Sequence, residues 1–248
     1  MKKIFKILLK YYLKYITKLA LLVHRPTIVA VAGSTNKSFV KKEIKKTLEK
    51  KDLKVRANPK NFNTEIGLPL AILYLPSGYN EYRKWLPVIF KAPLKIFQKN
   101  FPSCLILELG TSDAGDMKYL LSLVKPRISI VTNITQRYLE GYNDMNEMVK
   151  EFALLAAKTS NLLILNNDNN RVRELASRAQ AKIIKFGEKD DSDYKIKDIK
   201  KEKKGQTFIL KNKKKNRDIE LNKFGKHHIH AHTISFIIKD YFNGQKKF

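Results

Sequence analysis

The sequence predicts an α/β fold: three layers, with helices on both faces of a mainly parallel sheet. Three observations lead there. Short runs at 28–31, 104–109, 128–132, 162–165 and 183–186 are almost wholly aliphatic or β-branched, as strands buried on both faces must be. Segments with helical spacing alternate with these runs, and such alternation implies crossover connections between parallel strands. At 248 residues and 28.8 kDa the chain has room for one unit of this kind with a full core.

The first 24 residues, MKKIFKILLKYYLKYITKLALLVH, place Lys6, Lys10, Lys14 and Lys18 at four-residue steps among Ile, Leu, Phe and Tyr. They form a basic amphipathic helix, cut by charge too often for a span of ~20 apolar residues. No small-residue cleavage site follows it. Two readings fit: peripheral binding to an anionic membrane surface through residues 1–24, or packing of the apolar face on the domain at 26–248.

Residues 27–41, TIVAVAGSTNKSFVK, join a buried strand to a turn and then to a helix whose Phe39, Val40, Ile44 and Leu48 share a face. Backbone N–H groups at such a helix start point at an anion. The turn is P-loop-like, with Gly33, Ser34, Thr35, Asn36, Lys37 and Ser38 as candidate phosphate-binding residues. Val31 and Asn36 stand where the generic G-x-x-x-x-G-K-[ST] pattern has glycines. Asn tolerates a left-handed backbone best among the other residues, at roughly 1 kcal/mol, so the loop can still form. Lys37 can reach terminal phosphates and the Ser38 hydroxyl can ligate Mg2+.

A short strand is expected at 53–56, a structured loop with Asn, Gly and Pro punctuation at 58–70, and a helical region with Trp85 and several prolines at 71–102. After the strand ending at Leu109, a helix is expected at 119–124, then strand 128–132, helix 145–157, strand 162–165, helix 171–179 and strand 183–186. Short antiparallel strands fill 194–221, and a helix at 229–241 closes the chain. In an open parallel sheet the ligand crevice lies beyond the carboxyl ends of the strands. That places Gly33 to Ser38, Glu108 to Asp113 and Thr132 to Arg137 along one edge. Glu108, ending an apolar strand near Ser38, suits a Mg2+ ion that prefers hard oxygens; helix capping or pairing with a lysine is the alternative.

The net charge of +27 and pI near 10.0 are spread over nearly every segment, and the densest stretch, 195–217, interleaves lysines with Asp198, Glu202 and apolar residues. With no zinc finger, helix-turn-helix or aromatic RNA-binding signature, nucleic-acid binding is not expected. The single cysteine, Cys104, opens an apolar strand and suits a buried place in a reducing cytosol.

The ordered set GSTNKS, NFNTEIGLPL, LELGTSDAGDMKYLLSLVKP, VTNI, LEG at 139–141, LNNDN from Leu165 and GKHH from Gly225 resembles the central ATPase domain of the Mur ligase family. Among its branches it is most similar to the one that adds D-alanyl-D-alanine in peptidoglycan synthesis, over residues 27–241. The resemblance implies ATP and Mg2+ as cofactors. It also implies a cell-wall precursor acid activated as an acyl phosphate, which an amine then attacks. Lys37 would hold the terminal phosphates, Ser38 and Glu108 the first Mg2+, and Asn133 and His227 would lie near the nucleotide. Three positions depart from the family. Tyr138 stands where a metal-ligating His is expected, Phe152 where a lysine is carbamylated, and Ala231 where an asparagine faces adenine. The resemblance further implies domains before and after this one, which a separate chain could supply. The resulting expectations are a cytoplasmic nucleotide-binding protein, peripheral on the inner membrane face if its first helix binds there, and impaired as an isolated ligase. The alternative is a non-catalytic pseudoenzyme or a membrane-peripheral scaffold, with nucleic-acid binding by the basic surface ranked behind both.

Overall fold

A computed structural model describes residues 3–51, 53–137, 139–213 and 215–244. Tyr138 therefore lies outside the described residues. In chain order the elements are α1 Lys3–His24, β1 Thr27–Ala32, α2 Lys37–Glu49, β2 Val55–Ala57, α3 Gly67–Leu73, α4 Tyr82–Lys91 and a 3-10 turn at Pro93–Phe97. Next come β3 Cys104–Glu108, α5 Asp116–Leu123, β4 Ile128–Val131, a 3-10 turn at Leu139–Gly141, α6 Met145–Lys158 and β5 Leu162–Asn166. The chain continues through α7 Asn170–Glu174, a 3-10 turn at Leu175–Arg178, β6 Lys182–Gly187, β7 Tyr194–Glu202, β8 Gly205–Lys211, β9 Asn216–Leu221 and α8 Lys226–Asn243.

All nine strands form one sheet in the order β2-β3-β1-β4-β5-β6-β7-β8-β9. Pairing is parallel from β2 through β7 and antiparallel from β7 to β9. The segment 194–221 is thus not antiparallel throughout: Tyr194 and Lys195 pair in parallel with Phe186 and Gly187, so β7 joins the two halves of the sheet. The central parallel strands alternate between two cores, whereas β7, β8 and β9 contribute only to the second. Ile28, Ala30, Leu105, Leu107, Leu163 and Leu165 face a layer that includes α1, α3, α4, α5 and α6. Val29, Val31, Ile106, Ile130, Leu162 and Ile164 face α2 and α8. The period of two along buried strands makes both faces apolar and both need a helical cover.

Three elements differ from the sequence expectation. The 58–70 loop gives way to α3 at Gly67, because Pro69 falls in a first helical turn where its missing N–H costs no bond. The 171–179 helix breaks into α7 and a 3-10 turn. The strand expected at 53–56 is shifted to Val55–Ala57 by its pairing with β3.

One face of α1 packs on the domain, with Leu9, Leu13, Ile16 and Ala20 buried in the first core. No helix among the described residues is long and apolar enough to cross a membrane. Cys104 is 2% exposed, and burial pushes its thiol up to about 12. Since only the thiolate is an effective nucleophile, the native protein should remain unalkylated by iodoacetamide at pH 8 while the urea-unfolded chain takes one label. Intact mass before and after unfolding checks this.

Candidate functional site

Between β1 and β3 the chain order reverses direction across the sheet, since β2 and β3 lie on one side of β1 and β4 on the other. The loops leaving β1, β3 and β4 therefore meet at a single crevice, as expected at a topological switch point.

The β1–α2 turn is held from below by the β4 loop. Ser34 N donates to the Asn133 carbonyl (2.7 Å), Thr132 Oγ1 donates to the Thr35 carbonyl (2.6 Å), and Ser34 Oγ accepts from Thr135 N (3.0 Å). Asn133 adds a side-chain contact to Thr35 Oγ1 and accepts from Asn166 Nδ2 at 2.9 Å. Gly33 adopts φ +131°, and a Cβ there would collide with Thr132 Oγ1 and lie 2.9 Å from the Asn133 carbonyl oxygen. Asn36, the residue before α2, is left-handed at φ 66°, as its place in the loop pattern required.

Lys37 Nζ donates to the Gly33 carbonyl at 2.7 Å, bending the side chain back over the loop. Burial lowers its pKa, the Glu108 carboxylate raises it and Arg137 lowers it again. Ser38 Oγ donates to Glu108 Oε2 at 2.9 Å. Glu108 lies level with Val31 in the β1–β3 register, on the sheet face that α2 covers. Lys37 and Glu108 thus share one end of the sheet.

Several residues that sequence reasoning missed complete the arrangement. Lys41 is buried and its Nζ lies 3.1 Å from the same Glu108 oxygen while donating to the Asn58 carbonyl at 2.7 Å. Asn58 clamps the end of β3: its Oδ1 accepts from Glu108 N (2.8 Å), and its Nδ2 donates to the carbonyls of Phe62 and Glu108. Glu108 is therefore paired with a lysine, the alternative to a metal role, and it accepts from Ser38 at the same oxygen. Lys41 falls three residues after Ser38 and four after Lys37, on the same side of α2; that spacing was the available signal.

Above this network lies a cavity of about 350 Å³ lined by Ser34, Thr35, Asn36, Lys37, Ser38, Phe39, Lys60, Asn61, Asn63, Glu108, Gly110, Thr111, Ser112 and Arg137. Three cations face one carboxylate, with hydroxyls and amides between them, which is a lining suited to a polyanion. His227 is not among the residues lining this cavity; its ring lies 4.5 Å from that of Phe39, which is. Phe152 and Ala231 do not line it: each is buried, one in each core. Glu151, beside Phe152, instead accepts from Gly115 N and Met117 N and caps α5.

Two hard oxygens, Ser38 Oγ and Glu108 Oε2, meet at the cavity and fit a divalent cation that takes its remaining ligands from phosphate and water. Among the described residues no group of three or more His, Cys, Asp or Glu forms a metal cluster.

Residues 88–238, well over half of the chain, match the family model of the Mur ligase middle domain. The chain belongs to the Mur ligase family. The UDP-N-acetylmuramoyl-tripeptide–D-alanyl-D-alanine ligase of Haemophilus influenzae is 25% identical over 213 residues, covering 82% of this chain and 40% of that protein. Crystal structure I of MurF from Acinetobacter baumannii superposes with TM-score 0.74 at 15% identity, over 94% of this chain and 47% of that one. MurF from Thermotoga maritima in complex with ADP gives TM-score 0.70 at 18% identity, over 92% and 49%. This member of the Mur ligase family thus spans less than half the length of each of these proteins. It is a domain related to ATP-dependent ligases of peptidoglycan precursors.

Proposed function

We propose that this Mur ligase family domain binds Mg-ATP in the cavity over the β1–α2 turn, on the chemistry of ligases that activate a peptidoglycan-precursor acid. The observation that supports it is the convergence of Lys37, Ser38 and Glu108 on one cationic cavity. In this reading the Lys37 ammonium leaves the Gly33 carbonyl for the terminal phosphates, and the α2 N-terminus offers its backbone donors to them. Lys60 and Arg137 neutralise charge at the rim. Ser38 and Glu108 hold Mg2+, which when bound offsets charge on the transferring phosphoryl group. Lys41 already offsets part of the Glu108 charge, so the phosphates must complete the metal site and ion and nucleotide bind together. Asn133 and His227 flank the nucleotide, and the cytoplasm is the proposed compartment.

Phe152 favours a second component of the reading. A phenyl ring cannot be carbamylated, and here it is committed to the core, so the isolated chain should bind nucleotide without completing amide formation. Isothermal calorimetry with Mg-ATP tests the main claim: wild type is expected to bind, and Lys37→Ala to bind at least about tenfold more weakly for loss of a charge-assisted contact. Equal affinities would remove Lys37 from the site. ADP release with candidate acids and amines is expected to match the Lys37→Ala background; turnover above it would restore the isolated chain as a ligase.

A further inference from the structure

We infer that the outer face of α1, with the adjoining faces of α4 and the Pro93–Phe97 turn, docks on an anionic lipid bilayer. Opposite its buried face, α1 carries a second apolar stripe: Ile4, Leu8, Tyr11, Tyr15 and Leu22 recur at helical spacing and all are exposed. The flank of α1 marked by Phe5 and Tyr12 packs on α4. Phe5 meets Tyr82 edge-on with centroids 5.2 Å apart, and Tyr12 Oη donates to the Ile89 carbonyl at 2.7 Å. On α4, Trp85 and Val88 turn to the core, whereas Leu86 and Phe90 are exposed; Leu94 and Phe97 continue outward from the next turn at 71% and 78% exposure. Both apolar stripes thus point away from the core on the same side of the α1–α4 seam. A patch of this extent is not the scattered apolar exposure of an ordinary surface.

Charge selects the occupant. Residues 3–24 and 82–99 together hold ten Lys or Arg and no Asp or Glu. On the other flank of α1, Lys10 and Lys14 lie over the Tyr119 ring, 4.1 and 4.7 Å from its centroid, so the cations rim the apolar stripe. Aliphatic and aromatic side chains bordered by lysines, on helices that cannot span, suit the headgroup boundary of an anionic leaflet. A second copy of this chain would set the same positive rim against itself.

Vesicle flotation with the full chain tests this. The chain is expected to float with phosphatidylcholine vesicles containing phosphatidylglycerol but not with phosphatidylcholine alone, and to lose binding as ionic strength rises from about 0.05 M to about 0.5 M. Phe90→Asp/Leu94→Asp/Phe97→Asp, all at exposed positions, should lower the bound-to-free ratio by at least about tenfold, as should Leu8→Asp/Tyr15→Asp on α1. Both variants should keep the wild-type circular dichroism and Mg-ATP titration, since neither touches the cavity. Wild-type flotation by either variant would overturn the inference. So would equal recovery on neutral vesicles, or a dimer in light scattering that the same substitutions dissolve.

Discussion

Gly33→Val is expected to abolish nucleotide binding and to destabilise the domain by about 3 kcal/mol or more. Two costs combine at this position. The backbone at φ +131° is a region that side chains rarely adopt, worth roughly 1–3 kcal/mol of strain. Any Cβ must also push into Thr132 and the Asn133 backbone, and overpacking of this kind typically adds about 1–3 kcal/mol. Relief can come only by lifting the turn from the β4 loop, which breaks the bonds from Ser34 N and Thr132 Oγ1 and displaces the anion-facing donors with them. Gly115 is the internal control. It too is left-handed, at φ +91°, but a Cβ there meets nothing within 4 Å. Gly115→Ala should therefore cost only about 1 kcal/mol and leave Mg-ATP binding intact. Urea denaturation and calorimetry on Gly33→Ala, Gly33→Val and Gly115→Ala separate the terms. If Gly33→Ala is no more costly than Gly115→Ala, the close seating of the turn on β4 is wrong.

That seating also shows what could be read from the sequence and what could not. The strand, turn and helix at 27–49 were legible because each step is local: an apolar run, a glycine, an asparagine suited to φ 66°, then helical spacing. Glu108 was legible because a carboxylate at the end of CLILE breaks an otherwise apolar pattern. Lys41 was not. It stands among Lys37, Lys42, Lys45 and Lys46, and in so basic a helix a single buried lysine looks like part of a solvated face. Its role depends on Asn58 and Glu108, which are distant in the chain and meet it only once β2 and β3 pair. The bracing of the turn by Thr132 and Asn133 is likewise a consequence of strand order, which puts β4 beside β1. Periodicity carries no information on that order. For α1 the sequence left two readings open because the apolar face of a basic amphipathic helix suits a membrane surface or a protein core alike; burial of Leu9, Leu13 and Ile16 shows that one face is core.

Lys41→Met is expected to cost about 3–5 kcal/mol of folding stability, far more than the roughly 0–1 kcal/mol typical of a surface pair. The two side chains are only 9% and 11% exposed, so removing the ammonium leaves a largely buried carboxylate without its ion-pair partner, hydrogen-bonded to Ser38. Glu108→Leu should also destabilise, because the Lys41 ammonium would keep only the Asn58 carbonyl. The double variant should recover most of the loss, since no buried charge is left uncompensated. Additive losses in that cycle would show that the pair is not coupled. The same substitutions separate the structural use of Glu108 from its proposed use toward a metal. In wild type the ammonium competes with any cation for Oε2, so Lys41→Met should bind Mg2+ more tightly than wild type when nucleotide is absent. The double variant should fold and yet lose the Mg2+ dependence of nucleotide binding, because the carboxylate is gone whatever the state of its partner. Calorimetric titration of Mg2+ with and without ADP distinguishes these cases. If the double variant retained full Mg2+ dependence, Glu108 would be a clamp for α2 alone, and the ion would have to be held elsewhere in the cavity.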